Sequence, residues 1–550
     1  MVSKAHKWLR NQPDFLNTLD GHRLVRGMTT LSDQYVHLGR GASYLMIQSL
    51  GLNAVTVVSF IILARIISTK DMGIWAILLL VNAACQAFAT WFAPAVTKYV
   101  AENVSEKPKV AAAAFYQSIR VTILMYLPIV AAIYLGANFI TSKILGDVSY
   151  ALLFRVLALD VFFWAGALPM VTAALLGLKM FREIASISLV VQGFLRQSLV
   201  ILLVIFMKNI LGLVIGGLTA DIATVLIYLV LAVRVLGAPR FDFPLSKLLS
   251  FSLPLELSQI ASFAQSWFDR ALLAAFVPLT TLGIYNVALT AFGVLTGFSG
   301  SITNMLFPAY SSIPNKTEDL RNMRGAIRLA IRYTSLTLAP LAFGLLATAK
   351  PALTLLVGES YVGGYEPLAI LSGVFALTAF ATALGPVLLA LEETVLYALV
   401  AGATALIGLG VAAVLLPVWG IVGASTGRAL AMVLAAPLTL LILKKRITLQ
   451  LDLEAISKPL FAGATMAGVI VAVETLQYSK LLLPFYLVIG AIVYLLMLRL
   501  LRAVDSADLY LLERFLGTRL SPLNRILKWI LVAPESRFAH GSQKFNMAAN

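Results

Sequence analysis

Residues Thr394–Leu441 read TVLYALVAGATALIGLGVAAVLLPVWGIVGASTGRALAMVLAAPLTLL, and the only charge among them is Arg428. One helical crossing of a bilayer takes about 20 apolar residues, so this stretch is long enough for two. Its one internal punctuation is Pro417-Val418-Trp419-Gly420, where proline and glycine favour a tight turn. No water reaches the hydrocarbon core to satisfy a bare backbone, so both halves read as helices.

The same reading extends to the whole chain. Apolar runs fall near residues 43–64, 73–93, 113–136, 151–176, 185–207, 211–233, 250–276, 283–307, 333–356, 367–390, 394–416, 421–441, 457–476 and 481–501. The 550 residues are 60% hydrophobic and 12% charged, with a mean hydropathy of +0.90. Soluble domains run near 45–50% apolar and about 25% charged. This excludes a soluble enzyme, a disordered chain and a secreted disulfide scaffold. The single cysteine, Cys85, lies in an apolar run, so neither a disulfide framework nor a cysteine metal site is expected. His6, His22, His37 and His540 sit in polar tails, and no metal is expected. The chain opens on about 40 mixed polar residues, unlike a cleavable signal peptide.

The net charge of +16 is mostly topology. With the fourteen runs alternating across the membrane, 31 of the 42 Lys and Arg residues fall on the side of the two termini, six on the other side and five inside runs. The positive-inside rule then places both termini in the cytoplasm. A nucleic-acid partner is not implied.

The chain repeats at a spacing of about 210 residues. Ala64-Arg65-Ile66-Ile67 … Met72-Gly73-Ile74-Trp75 reads against Ala274-Ala275-Phe276-Val277 … Leu282-Gly283-Ile284-Tyr285. Phe92-Ala93-Pro94-Ala95 reads against Leu306-Phe307-Pro308-Ala309, and Leu175-Leu176-Gly177-Leu178 against Leu388-Leu389-Ala390-Leu391. Gly212-Leu213-Val214 … Gly216 reads against Gly420-Ile421-Val422-Gly423. Six helices separate the copies, so both have the same topology. The expectation is an all-α polytopic membrane protein with about fourteen transmembrane helices. Two six-helix lobes are related by a pseudo-twofold axis along the membrane normal, with a substrate site between them, and two C-terminal helices follow. The divisions are a cytoplasmic tail over 1–40, an N-lobe over 41–235, a C-lobe over 250–445, helices 13 and 14 over 457–501, and a cytoplasmic amphipathic tail over 502–550. In that tail Leu509–Leu531 reads as interfacial helix on an anionic membrane surface.

Ionisable groups inside hydrocarbon are costly and normally face a partner or a wet cavity. Arg196 and Arg428 lie deepest, Arg270 is on the most polar run, and Arg120 is in the cytoplasmic half of the third. These four are candidates to line a cavity for an anionic substrate, because guanidinium pairs bidentately with phosphate. Asp160, Asp221, Asp269 and Glu256 are candidates to carry a coupling ion. A plainer reading pairs Asp160 or Asp221 with Arg196 inside the first bundle and lets Arg155 snorkel to the interface. No phosphate-binding Gly-rich loop with Lys-Ser/Thr occurs, and no nucleophile–base set, so catalysis is not expected. Asn315-Lys316-Thr317 fits a glycosylation sequon but falls in an expected cytoplasmic loop.

Four stretches carry a resemblance. They are Arg40-Gly41 with Leu63-Ala64-Arg65-Ile66-Ile67-Ser68 and Asp71-Met72-Gly73-Ile74-Trp75; Pro254 with Asp269-Arg270 and Gly283-Ile284-Tyr285; Leu355-Leu356-Val357-Gly358-Glu359-Ser360-Tyr361 with Leu368-Ala369-Ile370-Leu371; and Pro417-Val418-Trp419-Gly420-Ile421-Val422-Gly423-Ala424. Over about residues 38–445 the chain resembles the polysaccharide-transporter, or Wzx-type oligosaccharide flippase, family of the multidrug/oligosaccharidyl-lipid/polysaccharide exporter superfamily. The resemblance implies transport of a polyprenyl-(pyro)phosphate-linked oligosaccharide across a prokaryotic cytoplasmic membrane by alternating access. It also implies membrane lipids and glycan-assembly proteins as partners, and no cofactor beyond a proton or sodium gradient. A lipid II flippase and a multidrug/cation antiporter of the same superfamily are the alternatives.

Overall fold

A computed structural model of the chain describes residues 19–89, 92–311, 313, 320–447, 451–504 and 508. The described residues are helical, without strands. The long helices are α1 (Leu19–Ile66), α2 (Thr69–Ala89), α3 (Pro108–Leu145), α4 (Val148–Gly177), α5 (Phe181–Met207), α6 (Leu211–Leu236) and α7 (Leu245–Phe276). They continue with α8 (Leu279–Ser311), α9 (Leu320–Ala347), α10 (Glu359–Ala390), the stretch Thr394–Arg446, α13 (Leu453–Leu476) and α14 (Leu483–Leu500). Among the described residues 11 helices are long and apolar enough to cross a membrane. One of them runs through Thr394–Arg446 but breaks at Gly420, whose φ of 54° and ψ of −132° are not helical. That conformation favours glycine, which has no Cβ to clash. The halves either side are α11 and α12. The helices α2 and α7, of 21 and 32 residues, also have spanning length.

Two boundaries differ from the sequence expectation. The ninth run, expected over 333–356, divides into α9, ending at Ala347, and a separate helix Ala349–Leu356. Thr348 leaves helical geometry (φ −99°, ψ 13°) three residues before the donor-less Pro351. At its other end α9 reaches back to Leu320 and takes in Arg324, Arg328 and Arg332. The turn expected over Pro417–Gly420 is confined to Gly420, and Pro417 stays inside α11. Leu509–Leu531 and Asn315–Thr317 lie outside the described residues.

The internal repeat has a physical form. Both α4 and α10 end on a left-handed residue, Lys179 (φ 58°) and Glu392 (φ 61°). In each the next amide returns to a carbonyl five residues back, Met180 N to Leu175 O at 3.0 Å and Glu393 N to Leu388 O at 2.9 Å. These are matching Schellman caps. Each lobe also closes a hairpin on two glycines four residues apart. A Cβ at Gly212 or Gly216 would come within 2.6–2.9 Å of the backbone at Leu203 or Val200, and one at Gly423 or Gly427 within 2.5–2.6 Å of that at Leu415 or Gly408. Gly212 thus corresponds to Gly423, three residues beyond the Gly420 that sequence similarity matches to it. Backbone contact, not residue identity, sets this register.

The lobes meet most closely where α2 crosses α8. A Cβ on Gly73 would lie 1.9 Å from Leu279 O, and one on Gly283 would lie 2.0 Å from Thr69 O. The contact is reciprocal, each glycine resting on the first turn of the other helix. Beside it Arg65, at the end of α1, donates from Nε to Leu356 O at 2.8 Å and from Nη2 to Leu355 O. These carbonyls end the helix Ala349–Leu356, where a cation is favoured. Tyr361 donates its hydroxyl to Ile67 O at 3.1 Å. This face is therefore shut by backbone contact and latched by three long-range hydrogen bonds.

Gly73→Ala and Gly283→Ala should each destabilise the protein by about 1–3 kcal/mol, as overpacking does. Gly293→Ala, on the same helix with nothing within 4 Å of its added Cβ, should leave the melting midpoint in detergent unchanged or raise it. Equal effects at all three would contradict the close crossing.

Candidate functional site

Two buried ion pairs organise the intramembrane charges, one in each lobe. In the N-lobe, α5 is π-helical over Ser188–Leu195 and returns to α-helix at Arg196. Such widened turns re-aim the side chains that follow. Arg196 donates from Nη1 to Asp221 Oδ1 on α6 at 2.8 Å and to Gln192 Oε1 at 2.9 Å. Gln192 donates from Nε2 to the same Asp221 oxygen and to Thr224 Oγ1, both at 2.8 Å. Gly217 makes room for this guanidinium, since a Cβ there would meet Arg196 Nη2 at 3.2 Å. Asp160 on α4 is buried and accepts from Asn82 Nδ2 at 3.3 Å.

In the C-lobe, Arg428 on α12 donates from Nη1 to Asp269 Oδ2 on α7 at 2.9 Å and to Ser266 O at 3.0 Å. Tyr285 on α8 donates its hydroxyl to the same carboxylate at 2.7 Å, and the Arg270 amide donates to Asp269 Oδ1 at 2.8 Å. Asp269 is fully buried. Taking two charges out of water is costly, and only close pairing with further hydrogen bonds offsets it. Asp221 and Asp269 both have that support.

Between the lobes lies a cavity of about 660 Å³, lined by α2, α4, α7 and the start of the helix Ala93–Asn103. Its polar groups include Gln86, Glu256, Gln259 and Ser266, and its large rings are Trp164, Phe263 and Trp267. On α2 and α4 these positions lie in the half nearest the basic loops, and on α7 they run from Glu256 past the middle of the helix to Trp267. None of the four candidate arginines lines this cavity. Arg196 stacks on Trp164 at 4.7 Å from the ring centroid, and Arg270 stacks on Trp267 at 4.3 Å. The arginines therefore contact cavity-lining indoles without lining the cavity themselves. Arg120 is exposed on α3, 5.7 Å from the Phe241 ring. Of the four acidic candidates, only Glu256 lines the cavity. Arg155 reaches Asn138 Oδ1 at 3.3 Å.

The sequence reading missed the tryptophans. Trp267 stands three residues before Arg270, a spacing that puts both on one helix face, so that stack was available as a signal. Trp164 lies inside the π-helical turn Val161–Ala167, where a 3.6-residue period does not give the direction of a side chain.

A second chamber of about 390 Å³ lies among α1, α8, α9, the helix Ala349–Leu356 and α14. Its lining is almost wholly apolar, and Val294, Phe298, Leu341 and Leu487 on it are exposed.

Fold and cavity together define a polytopic helical membrane protein of two lobes with a cavity between them. The chain belongs to the polysaccharide biosynthesis protein family, which matches residues 62–364. It is 25% identical over 240 residues to the probable low-salt glycan biosynthesis flippase Agl15 of Haloferax volcanii, covering 43% of this chain and 51% of that protein. It is 28% identical over 140 residues to the succinoglycan biosynthesis transport protein ExoT of Rhizobium meliloti, covering 24% of this chain and 28% of that one. The chain thus spans about half the length of the first of these relatives and less of the second. Its fold is similar to that of the lipid II flippase MurJ in an inward closed conformation, with a TM-score of 0.67 and 14% identity over 82% of this chain and 97% of that one. A multidrug resistance MATE family transporter in an inward-facing conformation gives a TM-score of 0.58, at 14% identity over 73% of this chain and 98% of that one.

Arg428→Leu should cost about 3–5 kcal/mol by stranding the buried Asp269 carboxylate. The double variant Arg428→Leu/Asp269→Leu should recover most of that loss in the melting midpoint. A double variant no more stable than the single one would contradict the pairing.

Proposed function

We propose that the protein is a flippase. It moves a polyprenyl-(pyro)phosphate-linked oligosaccharide from the inner to the outer leaflet of a prokaryotic cytoplasmic membrane, for the synthesis of cell-surface polysaccharide or another glycan. The observation that carries this reading is a polar, aromatic-lined cavity between the lobes of a chain in the polysaccharide biosynthesis protein family. The lobes rock about that cavity, as repeated transporter folds do. The arrangement described above is the one open toward the cytoplasmic loops, both termini being cytoplasmic. The apolar chamber among α1, α8, α9 and α14 suits the hydrocarbon end of such a substrate. Glycan-assembly proteins of the same membrane are its expected partners.

A proton or sodium gradient drives the step in this reading. The carboxylates best suited to carry the ion are Asp160 and Asp221, which lie within electrostatic range of each other and of a single arginine, Arg196. Asp269 is fully engaged by Arg428, Tyr285 and a backbone amide.

The cavity also favours one alternative. A lining with a carboxylate and two tryptophans, and none of the candidate arginines, is what a drug or cation antiporter of this fold would present. Family membership argues for the glycan. Deleting the gene in its host should abolish the surface glycan and leave lipid-linked oligosaccharide accumulating in the membrane, both restored by the intact gene. Normal surface glycan together with heightened ethidium sensitivity would establish the antiporter reading in its place.

A further inference from the structure

We propose that Trp164 and Trp267 are sugar-stacking platforms, one contributed by each lobe, and that the cavity recognises the glycan of the substrate and not its phosphate. This rests on the flippase reading and names the part of the substrate that this cavity holds.

Four observations support it. Both indoles line the same cavity and are half-buried, one on α4 and the other on α7. Each carries a guanidinium over its ring, from Arg196 and Arg270, and neither arginine lines the cavity. The guanidinium occupies one face of each ring, and each indole still lines the cavity. Arg196 is itself fixed by Asp221 and Gln192, so at Trp164 the stacking partner is anchored. A ring held in place loses little freedom on binding.

The chemistry of the lining fits a sugar. The apolar face of a pyranose presents polarised C–H groups, which suit the electron-rich face of an indole. Its hydroxyls need donors and acceptors around the rim, and Gln86, Gln259, Ser266 and Glu256 supply both kinds. A phosphate needs cations or a cluster of backbone amides. The charged side chain among the described lining residues is a carboxylate, Glu256, which supplies neither. Because one platform belongs to each lobe, rocking of the lobes changes the spacing of the two rings. A sugar bridging both is held in one arrangement and released in the other.

The test uses the full-length protein with the tryptophans other than Trp164 and Trp267 replaced by Phe, reading intrinsic fluorescence. It is first required to restore surface glycan to the deletion host. The probes are lipid-linked oligosaccharide extracted from that host, the glycan released from it by mild acid, and undecaprenyl phosphate alone. Glycan-bearing probes should shift the emission, and undecaprenyl phosphate should not. Trp164→Leu and Trp267→Leu should each weaken the response about tenfold, and the Phe variants much less, since an aromatic face is worth about 1 kcal/mol or more. Unchanged melting midpoints separate this from misfolding. An equal shift with undecaprenyl phosphate, or no shift with any probe in a protein that restores export, overturns the platforms and leaves the flippase reading standing. Failure of the native protein to restore the glycan overturns that reading and this one with it.

Discussion

Everything between the two lobes is arranged around a place where neither helix has a side chain. Gly73 and Gly283 let α2 and α8 cross with each Cα against the other's first-turn carbonyl. A methyl group on either would have to move backbone, which is stiff and already hydrogen-bonded. The helices leave this crossing with no room at one face, and the cavity opens toward the other. The stretches that carry the family resemblance also gather here. Leu63–Trp75, Gly283-Ile284-Tyr285 and Leu355–Tyr361 meet through the glycine contact, the Arg65 bonds and the Tyr361 bond. Parts of three of the four stretches, scattered along the chain, thus describe one contact between the lobes.

The buried charges divide the labour differently from a cationic pore. Each lobe satisfies an arginine with its own carboxylate, so each pair lies within one lobe and neither ties the lobes together. Tyr285 ties the C-lobe pair to α8, two residues beyond Gly283. The crossing and the ion pair therefore share a short piece of helix. Arg196, held by Asp221 and Gln192, fixes its place against Trp164, and the cavity between the lobes has aromatic and polar groups on its lining.

The all-helical membrane class and the internal repeat could be read from hydropathy and spacing, because a lipid environment forces apolar length and internally bonded backbone on every crossing. The division of the ninth run could not, since Thr348 breaks the helix within a stretch that stays apolar on both sides. Gly423 as the partner of Gly212 was hidden because the criterion is closeness to another backbone, which identity does not report. Arg196 was legible as a deep charge with Asp160 or Asp221 weighed as its partner, and the structure gives it Asp221; Arg428 was legible as a deep charge but its pairing with Asp269 was not. Asp221 lies 25 residues from Arg196 and Asp269 lies 159 from Arg428, and a single sequence does not say which helix faces align. The tryptophans were lost among many apolar residues. The stack of Trp267 on Arg270 was within reach of simple helical spacing, whereas the π-turn around Trp164 was not.

The central claim is that the α2–α8 crossing parts when the cavity delivers its load to the other side. Spin labels at Lys70→Cys and Thr280→Cys, both exposed, in a Cys85→Ser background that leaves no other cysteine, measure the separation of those two helix starts directly. The account predicts a short separation in the resting protein and a second, longer population when host lipid-linked oligosaccharide is supplied. A single short separation, unchanged by that substrate in a doubly labelled protein that restores glycan export, would contradict it.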